Sequence, residues 1–252
     1  MEKNFVVGVE GEVGAGKTSM CKELVKIIPN TIFIDGGAIF RGITLAIKKG
    51  KEELVQSAPT LIGDMAKNLL KKLNVNVDAI SSMQADALDL MKALNVNFKI
   101  QDNQTAVYIG DKEVKSDEFE TEENAMDVSR IASQTDNKAL FTFAHNLIQE
   151  YSKTYNIIVS ARDLVEIYPE MDLHLYVTAD LDKRIERRYN QYNGKYTREE
   201  IAESIKTRDN IHKDAGFNKK CDRTVALDLS DCENSEQSAK KALEIFKKYN
   251  LV

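Results

Sequence analysis

One eight-residue stretch near the amino terminus constrains this chain more than any other feature of its sequence. Residues 11–18 read Gly-Glu-Val-Gly-Ala-Gly-Lys-Thr and match the pattern G-x-x-x-x-G-K-[ST] at every fixed position. Residues 5–9 form an apolar run before it, typical of a parallel strand that is covered on both faces. A helical pattern follows over about residues 17–28 and ends at Pro29. The stretch therefore lies between a strand and a helix, the context that this pattern requires.

The residue types in this stretch favour the binding of phosphate groups. Glycines permit positive φ angles, so that consecutive backbone N–H groups can turn inward around phosphate oxygens. The helix that begins near Lys17 adds the positive end of its dipole. We expect Lys17 to reach the β- and γ-phosphates of a nucleotide and the Thr18 hydroxyl to be a ligand of Mg²⁺. The residues predicted to contact the donor nucleotide are Gly11, Glu12, Val13, Gly14, Ala15, Gly16, Lys17, Thr18 and Ser19.

Glu12 is an unusual residue for such a loop. A carboxylate inside an anion-binding cradle repels phosphate groups. We therefore expect the Glu12 side chain either to point to solvent or to meet an arginine from another segment of the chain.

The glycines are distributed unevenly along the chain. Of the 12 glycines, seven lie within the first 42 residues, at positions 8, 11, 14, 16, 36, 37 and 42. Three of them, at positions 36, 37 and 42, follow a short strand pattern at residues 31–34. Asp35 and Arg41 lie next to these three glycines. Residues that follow the carboxyl ends of strands line the crevice of an open α/β sheet. This segment therefore predicts a second ligand that faces the phosphate loop.

The rest of the chain alternates between strand and helix patterns. Further strand patterns occur at residues 156–160, 173–177 and 225–227, with helical patterns between them. This alternation predicts a three-layer α/β fold with a parallel sheet. Residues 51–94 are predicted to be mostly helical and contain a local repeat, 71–77 and 92–98, which we interpret as a small duplicated insertion. Residues 96–115 are rich in β-formers and predict a small antiparallel module.

Composition excludes several classes of protein. The net charge is −5, which argues against a dedicated nucleic-acid binder. The three cysteines are odd in number and lack the spacing of metal ligands. No apolar run approaches the roughly 18 residues of a membrane span, and the amino terminus lacks a signal-peptide pattern. We expect a cytoplasmic protein with neither nucleic-acid nor membrane partners.

The sequence resembles the bacterial cytidylate kinases, P-loop nucleoside-monophosphate kinases, over most of its length. The resemblance rests on the phosphate loop, residues 35–41, the β-rich segment 96–115, and residues 128–132, 160–163, 175–179, 187–188, 208–209 and 227–228. It implies a single P-loop kinase domain over residues 1–252. That domain has an NTPase core (1–50, 126–182 and 222–252), a small β-containing insert that binds the monophosphate (about 51–125), and a helical lid (about 183–221).

The resemblance also implies an activity, a set of ligands and a set of site residues. The reaction is transfer of the γ-phosphoryl group of ATP, with Mg²⁺, to a pyrimidine nucleoside monophosphate such as CMP or dCMP, and we expect a monomer. The residues that contact the acceptor are Asp35, Gly36, Arg41, Lys138, Arg162 and Asp163. Asp228 lies near the adenine. The residues expected to act in the transfer itself are Lys17, Arg162, Asp163, Arg188 and Arg208.

Arginine suits such a site because its planar fork grips phosphate oxygens at two points and never loses its charge. Six of the nine arginines lie between residues 162 and 208: Arg162, Arg184, Arg187, Arg188, Arg198 and Arg208. For residues 187 and 188 the alternative to phosphate binding is a position on a solvated helix face, with ion pairs to Glu186, Glu199 and Glu200. For Arg184 and Arg198 both interpretations remain open.

The sequence departs from the family's pattern mainly where the acceptor binds. The family has a hydroxyl residue in place of Gly36, arginines near Glu120 and in place of Lys138, and a second Arg-Asp pair after residues 208–209. Two alternatives therefore accompany the first hypothesis. One is a P-loop kinase for another small acceptor, and the other is a nucleotide-binding protein built on a decayed kinase.

Overall fold

The computed structural model describes residues 4–38, 40–46, 91–92, 94–115, 118, 121–134 and 138–252. The chain divides into two compact units. The first comprises Met1–Gly36, Ile100–Thr105 and Ala144–Val252, and the second comprises Gly37–Lys99 and Ala106–Phe143. The predicted division into core, insert and lid stays a prediction.

Fifteen helices and strands are bounded within the described residues. In chain order they are β1 (Val6–Gly11), α1 (Lys17–Ile27), β2 (Thr31–Asp35), β3 (Val96–Gln101), β4 (Gln104–Ile109), β5 (Lys112–Glu113), α2 (Glu122–Gln134), α3 (Lys138–Ser152), β6 (Asn156–Ser160), α4 (Leu164–Ile167), β7 (Leu173–Thr178), α5 (Leu181–Gln191), α6 (Arg198–Asp214), β8 (Thr224–Asp228) and α7 (Ser235–Lys248).

The first unit is built on a parallel sheet with the strand order β2-β6-β1-β7-β8. Every residue of β1 is buried, as a strand in the middle of a sheet covered on both faces requires. The strands predicted at 31–34, 156–160, 173–177 and 225–227 are confirmed, as is the predicted α/β class. Because the strands are parallel, their carboxyl ends share one edge of the sheet, where the phosphate loop and the segments after residues 35, 160, 178 and 228 emerge.

Helix α1 begins where the phosphate loop ends and confirms the predicted helix. Its N-cap is Gly16, and the N–H of Ile28 closes its last turn on the carbonyl of Leu24 at 2.9 Å, one residue before Pro29. The apolar side of α1 is buried in the main core of the first unit, where Phe5 and Phe246 also meet edge to face with ring centroids 5.7 Å apart. The amphipathic pattern of the sequence therefore fixes the helix against the sheet.

Helices α5 and α6 form a hairpin within the predicted lid. Thr197 and Glu200 form a capping box at the start of α6. The Thr197 hydroxyl accepts the N–H of Glu200 at 3.2 Å, and the Glu200 carboxylate accepts the N–H of Thr197 at 2.8 Å. Tyr192 and Ile201 pack between the two helices, and Val13 of the phosphate loop is buried in the same apolar cluster. Packing of this hairpin therefore extends onto the loop.

The second unit has a smaller core of its own. Residues 40–46 are helical, and Ile43 is buried in a cluster with Val96, Val107 and Leu140. Strands β4 and β5 pair antiparallel, which confirms the predicted module at 96–115. Residues 102–103 connect β3 to β4, and both have a positive φ. This turn belongs to the first unit. Gln104, the residue after it, pairs with Phe33 of β2. The helices and the first repeat copy predicted between 51 and 90 lie outside the described residues.

Candidate active site

The phosphate loop has the backbone conformation that its glycines allow. Gly11, Gly14 and Gly16 have φ angles of 133°, 77° and 96°, which residues with a side chain rarely adopt. A Cβ atom on Gly11 would lie 2.0 Å from the carbonyl oxygen of Val177, so the neighbouring strand leaves no space for one. The loop is therefore a tight cradle at the carboxyl edge of the sheet.

The donor groups of this cradle fit a phosphate. Gly16 supplies no side-chain cap, and the first N–H groups of α1, those of Lys17, Thr18 and Ser19, have no acceptor within the helix. The first turn also contains no acidic residue. Unpaired N–H groups at a helix N-terminus are a site for phosphate oxygens. The half-buried Thr18 hydroxyl suits a hard cation such as Mg²⁺.

Lys17 lies against the loop that precedes it. Its Nζ donates to the carbonyl oxygens of Gly11 at 2.9 Å and Glu12 at 2.5 Å. Burial holds the pKa of Lys17 well below its usual range, and the positive charges of Arg162 and Arg188 lower it further. The amine therefore lies in a field of like charge, which an anion would relieve.

The other cations around Lys17 come from distant parts of the chain. Arg162 follows β6, and its Nη1 donates to the Gly11 carbonyl at 3.0 Å. Burial is the main cause that lowers the pKa of Arg162. Arg188 on α5 and Arg208 on α6 complete the set. The cation cluster consists of Lys17 and the three arginines whose charges act on it, Arg162, Arg188 and Arg208. Four cations at one edge of a sheet are an electrostatic site for a polyphosphate.

His212 is a buried residue on which the charges of this cluster act. The side chain is buried, and its Nδ1 has no hydrogen-bond partner. Burial, followed by the charges of Arg162, Arg208 and Lys17, lowers the pKa of His212 to about 2. A neutral imidazole therefore stands among the arginines.

Asp163 lies beside the cluster in a strained backbone conformation. It precedes α4 with φ 57°, it is 6% exposed, and its Oδ1 has no hydrogen-bond partner. Burial raises the pKa of Asp163 to about 6, against a lowering by Lys219. Leu164, the next residue, donates its N–H to Oε1 of the fully buried Glu10 at 2.6 Å. Glu10 therefore holds the segment that carries Arg162 and Asp163.

Glu12 meets an arginine, so that the second of its two predicted outcomes is confirmed. Its Oε2 lies 3.7 Å from Nε of Arg184 and accepts the N–H of Ala179 at 3.2 Å. The carboxylate is therefore turned toward α5 and the end of β7, and its charge is paired with the arginine.

The remaining arginines of the predicted lid have different partners. Arg187 is not on a solvated face, because its guanidinium donates to three backbone carbonyls, of Ala15, Leu229 and Cys232, at 2.9, 2.7 and 2.8 Å. Arg188 donates to Gln191 and Tyr192 of its own helix, and its buried Nε has no hydrogen-bond partner.

Arg198 and Asp228 have local partners in the structure. Arg198 lies over the Tyr189 ring, with its Cζ atom 4.7 Å from the ring centroid. Asp228, predicted near the adenine, accepts hydrogen bonds from the N–H and hydroxyl of Ser230 at 2.9 and 2.6 Å. The predicted position of Asp228 near the adenine stays a prediction, and for Arg198 both interpretations stay open.

The residues predicted to bind the acceptor are divided between the two units. Asp35 is buried at the end of β2, where its N–H donates to the Thr105 hydroxyl at 2.9 Å. Gly36 packs on Ala161, next to Arg162. Arg41 and Lys138 belong to the second unit, and their contacts with the acceptor stay predictions.

Three titratable residues of the site were not predicted from the sequence, namely Glu10, Asp209 and His212. Asp209 accepts the N–H of Val13 at 3.1 Å and one hydrogen bond from Arg184 at 2.6 Å. For Glu10 a signal existed, because a carboxylate inside an apolar strand needs buried partners. For Asp209 the sequence offered only the adjacent Arg208, and for His212 only an arginine four residues earlier.

The parallel sheet, the phosphate loop and the cation cluster define a P-loop kinase. The family model described as cytidylate kinase matches residues 7–247, and the chain belongs to the cytidylate kinase family. The predicted family is thereby confirmed.

Individual relatives are similar along nearly their whole length. The chain is 27% identical to the cytidylate kinase of Fusobacterium nucleatum, covering 90% of this chain and 91% of that protein. It is 25% identical to that of Bacteroides fragilis, covering 93% of each, and 24% identical to that of Bacillus licheniformis, covering 98% of each. It is also similar to the crystal structure of TT1252 from Thermus thermophilus, with 15% identity and a TM-score of 0.39 over 97% of this chain and 98% of that one, too low to support an argument.

Two kinds of feature are absent from the described residues. No helix there combines the length and apolar character needed to cross a membrane. No group of three or more His, Cys, Asp or Glu side chains is placed there to hold a metal ion.

Proposed function

We propose that this protein transfers the γ-phosphoryl group of ATP to CMP or dCMP. The observation that carries the proposal is the cation cluster at the phosphate loop of a member of the cytidylate kinase family. An oxygen of the acceptor phosphate attacks the γ-phosphorus, the bond from that phosphorus to the β–γ bridging oxygen breaks, and ADP leaves with the bond's electrons. No proton has to move in this step.

Each cation of the cluster has a place in the proposed reaction. The loop N–H groups and Lys17 hold the β- and γ-phosphates, while Arg188 and Arg208 approach from α5 and α6. Arg162 lies at the junction of donor and acceptor, because it touches the loop at Gly11 and adjoins Asp163. Together they neutralise the charge that two phosphate chains bring to one site, which is most of what phosphoryl transfer requires.

The cofactor of the proposed reaction is Mg²⁺, held by Thr18 and by the nucleotide. A bound Mg²⁺ neutralises charge on the β- and γ-phosphates. The described residues offer a hydroxyl but no carboxylate cluster for it, which suits an ion that retains several waters.

We further propose that the protein acts in the cytoplasm as a monomer on small nucleotides. The net charge of −5 supports the absence of a nucleic-acid partner, since binding to nucleic acid depends on phosphate neutralisation.

The test is ADP production from Mg-ATP with a panel of acceptors, namely CMP, dCMP, UMP, AMP and shikimate. We expect stimulation by CMP or dCMP above the others, and its loss in Lys17→Ala. Stimulation by shikimate alone would replace the proposal with a kinase for another small acceptor. ATP binding without stimulation by any acceptor would replace it with a nucleotide-binding protein.

A further inference from the structure

Two arginines of α5 contact the back of the phosphate loop. Arg184 Nη1 donates to the carbonyl oxygen of Val13 at 3.1 Å, and Arg187 Nη1 donates to that of Ala15 at 2.9 Å. The two arginines are three residues apart and therefore lie on the same side of the helix. They hold the carbonyls of alternate loop residues.

The direction of these carbonyls determines where the loop presents its N–H groups. In a trans peptide the C=O and the N–H of the same plane point in opposite directions. The plane with the Val13 carbonyl carries the N–H of Gly14, and the plane with the Ala15 carbonyl carries the N–H of Gly16. When α5 holds the two carbonyls toward itself, both N–H groups must point away from α5, to the opposite side of the loop. The left-handed φ angles of Gly14 and Gly16 permit this alternation.

The peptide plane before these two is held from both ends. Its N–H, on Val13, donates to Oδ1 of Asp209 at 3.1 Å, and its carbonyl, on Glu12, accepts the Lys17 ammonium at 2.5 Å. This N–H is therefore already engaged. The N–H groups left for phosphate begin at Gly14.

Both arginines are fixed by additional partners. Arg184 is 8% exposed and donates to Oδ2 of Asp209 at 2.6 Å, while Arg187 also donates to the carbonyls of Leu229 and Cys232. Both guanidiniums donate to backbone carbonyls of the phosphate loop. Arg188 differs, because its hydrogen bonds go to the side chains of Gln191 and Tyr192.

We propose that Arg184 and Arg187 are positioning residues that aim the N–H groups of Gly14 and Gly16 at the donor phosphates. The inference deepens the proposed function, on which it rests for the identity of the ligand. Helix α5 then has two roles. Residues 184 and 187 fix the conformation of the phosphate loop, and Arg188 binds the phosphates.

The test compares alanine and lysine variants at both positions by the Kd for Mg-ADP, measured calorimetrically. We expect Arg184→Ala and Arg187→Ala to weaken binding at least about tenfold. Lysine preserves the charge but replaces the planar fork with a single, shorter ammonium, so we expect Arg184→Lys and Arg187→Lys to stay within about threefold of the alanine variants. Lysine variants that bind like the wild type would overturn the proposal, as would alanine variants that do.

A second readout separates positioning from direct phosphate contact. Amide hydrogen exchange of residues 11–20 in the nucleotide-free protein should accelerate in the variants at 184 and 187. It should not change in Arg188→Ala, which removes a proposed phosphate contact. The matched control is Arg223→Ala, because Arg223 also donates to a backbone carbonyl, that of Pro169 at 2.7 Å. Unchanged loop exchange in every variant at 184 and 187 would contradict a positioning role.

The outcomes also separate this inference from the proposed function. If the wild type binds Mg-ADP but phosphorylates no nucleoside monophosphate, the proposed function fails, and the binding comparison still decides the role of residues 184 and 187. An alanine variant whose melting curve shows no folded state is set aside. For that position the lysine variant decides the role, through its Kd for Mg-ADP and the amide exchange of residues 11–20.

Discussion

The methyl group of Ala161 fills the space that a side chain on residue 36 would need. A Cβ atom on Gly36 would lie 2.8 Å from Cβ of Ala161 and 3.3 Å from the carbonyl oxygen of Ser160. The first of these distances is shorter than real contacts between such atoms. Gly36, the residue that departs from the family's hydroxyl at this position, is therefore matched to alanine at 161.

This relationship predicts that a hydroxyl at residue 36 needs a smaller residue at 161. Gly36→Ser alone should lower the free energy of unfolding by about 1–3 kcal/mol through overpacking. The double variant with Ala161→Gly should recover most of that loss, and Ala161→Gly alone measures its own cost. Urea unfolding of the four proteins gives the coupling, and additive losses would show that the two positions do not compete for space.

Gly11 should tolerate alanine far less well than a glycine with open surroundings. Gly11→Ala places a Cβ 2.0 Å from the backbone oxygen of Val177 at a φ of 133°, so we expect a loss of more than about 3 kcal/mol or failure to fold. The control is Gly216→Ala, where φ is 72° and no atom lies within 4 Å. That variant should lose only about 1 kcal/mol. Equal losses in thermal unfolding would contradict this account of the loop.

Asp163 should cost stability at neutral pH. Burial raises its pKa in the folded protein to about 6, above the ordinary value of 3.8, so folding disfavours the charged form. The cost is absent at low pH, grows between about pH 4 and pH 6, and is complete above that range. Asp163→Asn, which also tolerates a positive φ, should stabilise the protein by about 1–2 kcal/mol at pH 8 after allowance for solvent screening. At pH 4 the difference should be close to zero, and a gain that does not depend on pH would contradict the assignment.

His212 should make the protein sensitive to acid. Its pKa of about 2 in the folded protein lies below the ordinary value of 6.5, so only the unfolded chain takes up the proton as the pH falls below 6.5. Its contribution is present above pH 6.5 and is lost progressively below it, by about 2 kcal/mol between pH 7 and pH 5. In His212→Gln the fall in unfolding free energy over that interval should be smaller by this amount. An unchanged fall would contradict the view that His212 stays neutral among Arg162, Arg208 and Lys17.

The sequence predicted those features that depend on neighbouring residues. The phosphate loop, the helix after it and the buried strands were each evident from a local pattern, because glycine conformation, helix periodicity and strand burial act over a few residues. For the carboxylate at position 12 the sequence predicted either exposure to solvent or an arginine partner, and the structure shows the arginine. The resemblance to the family therefore followed from nine short segments.

The contacts that organise the loop could not be predicted in the same way. Asp209 and Val13 are separated by 196 residues, and Arg184 and Val13 by 171, so only the packing of the α5–α6 hairpin brings them together. Arg187 could, from the sequence, also have lain on a solvated helix face. Its three carbonyl partners come from the phosphate loop and from the residues after β8, and no spacing in the sequence connects those segments.

The most direct test of the central claim is product analysis by ³¹P NMR of Mg-ATP and CMP incubated with the wild type and with Lys17→Ala. We expect the wild type to form CDP and ADP in equal amounts. Lys17→Ala should form both about 10²–10³ times more slowly, because it lacks the cation that holds the transferred phosphoryl group. ADP and inorganic phosphate without CDP, or CDP formation at an equal rate in Lys17→Ala, would contradict the account.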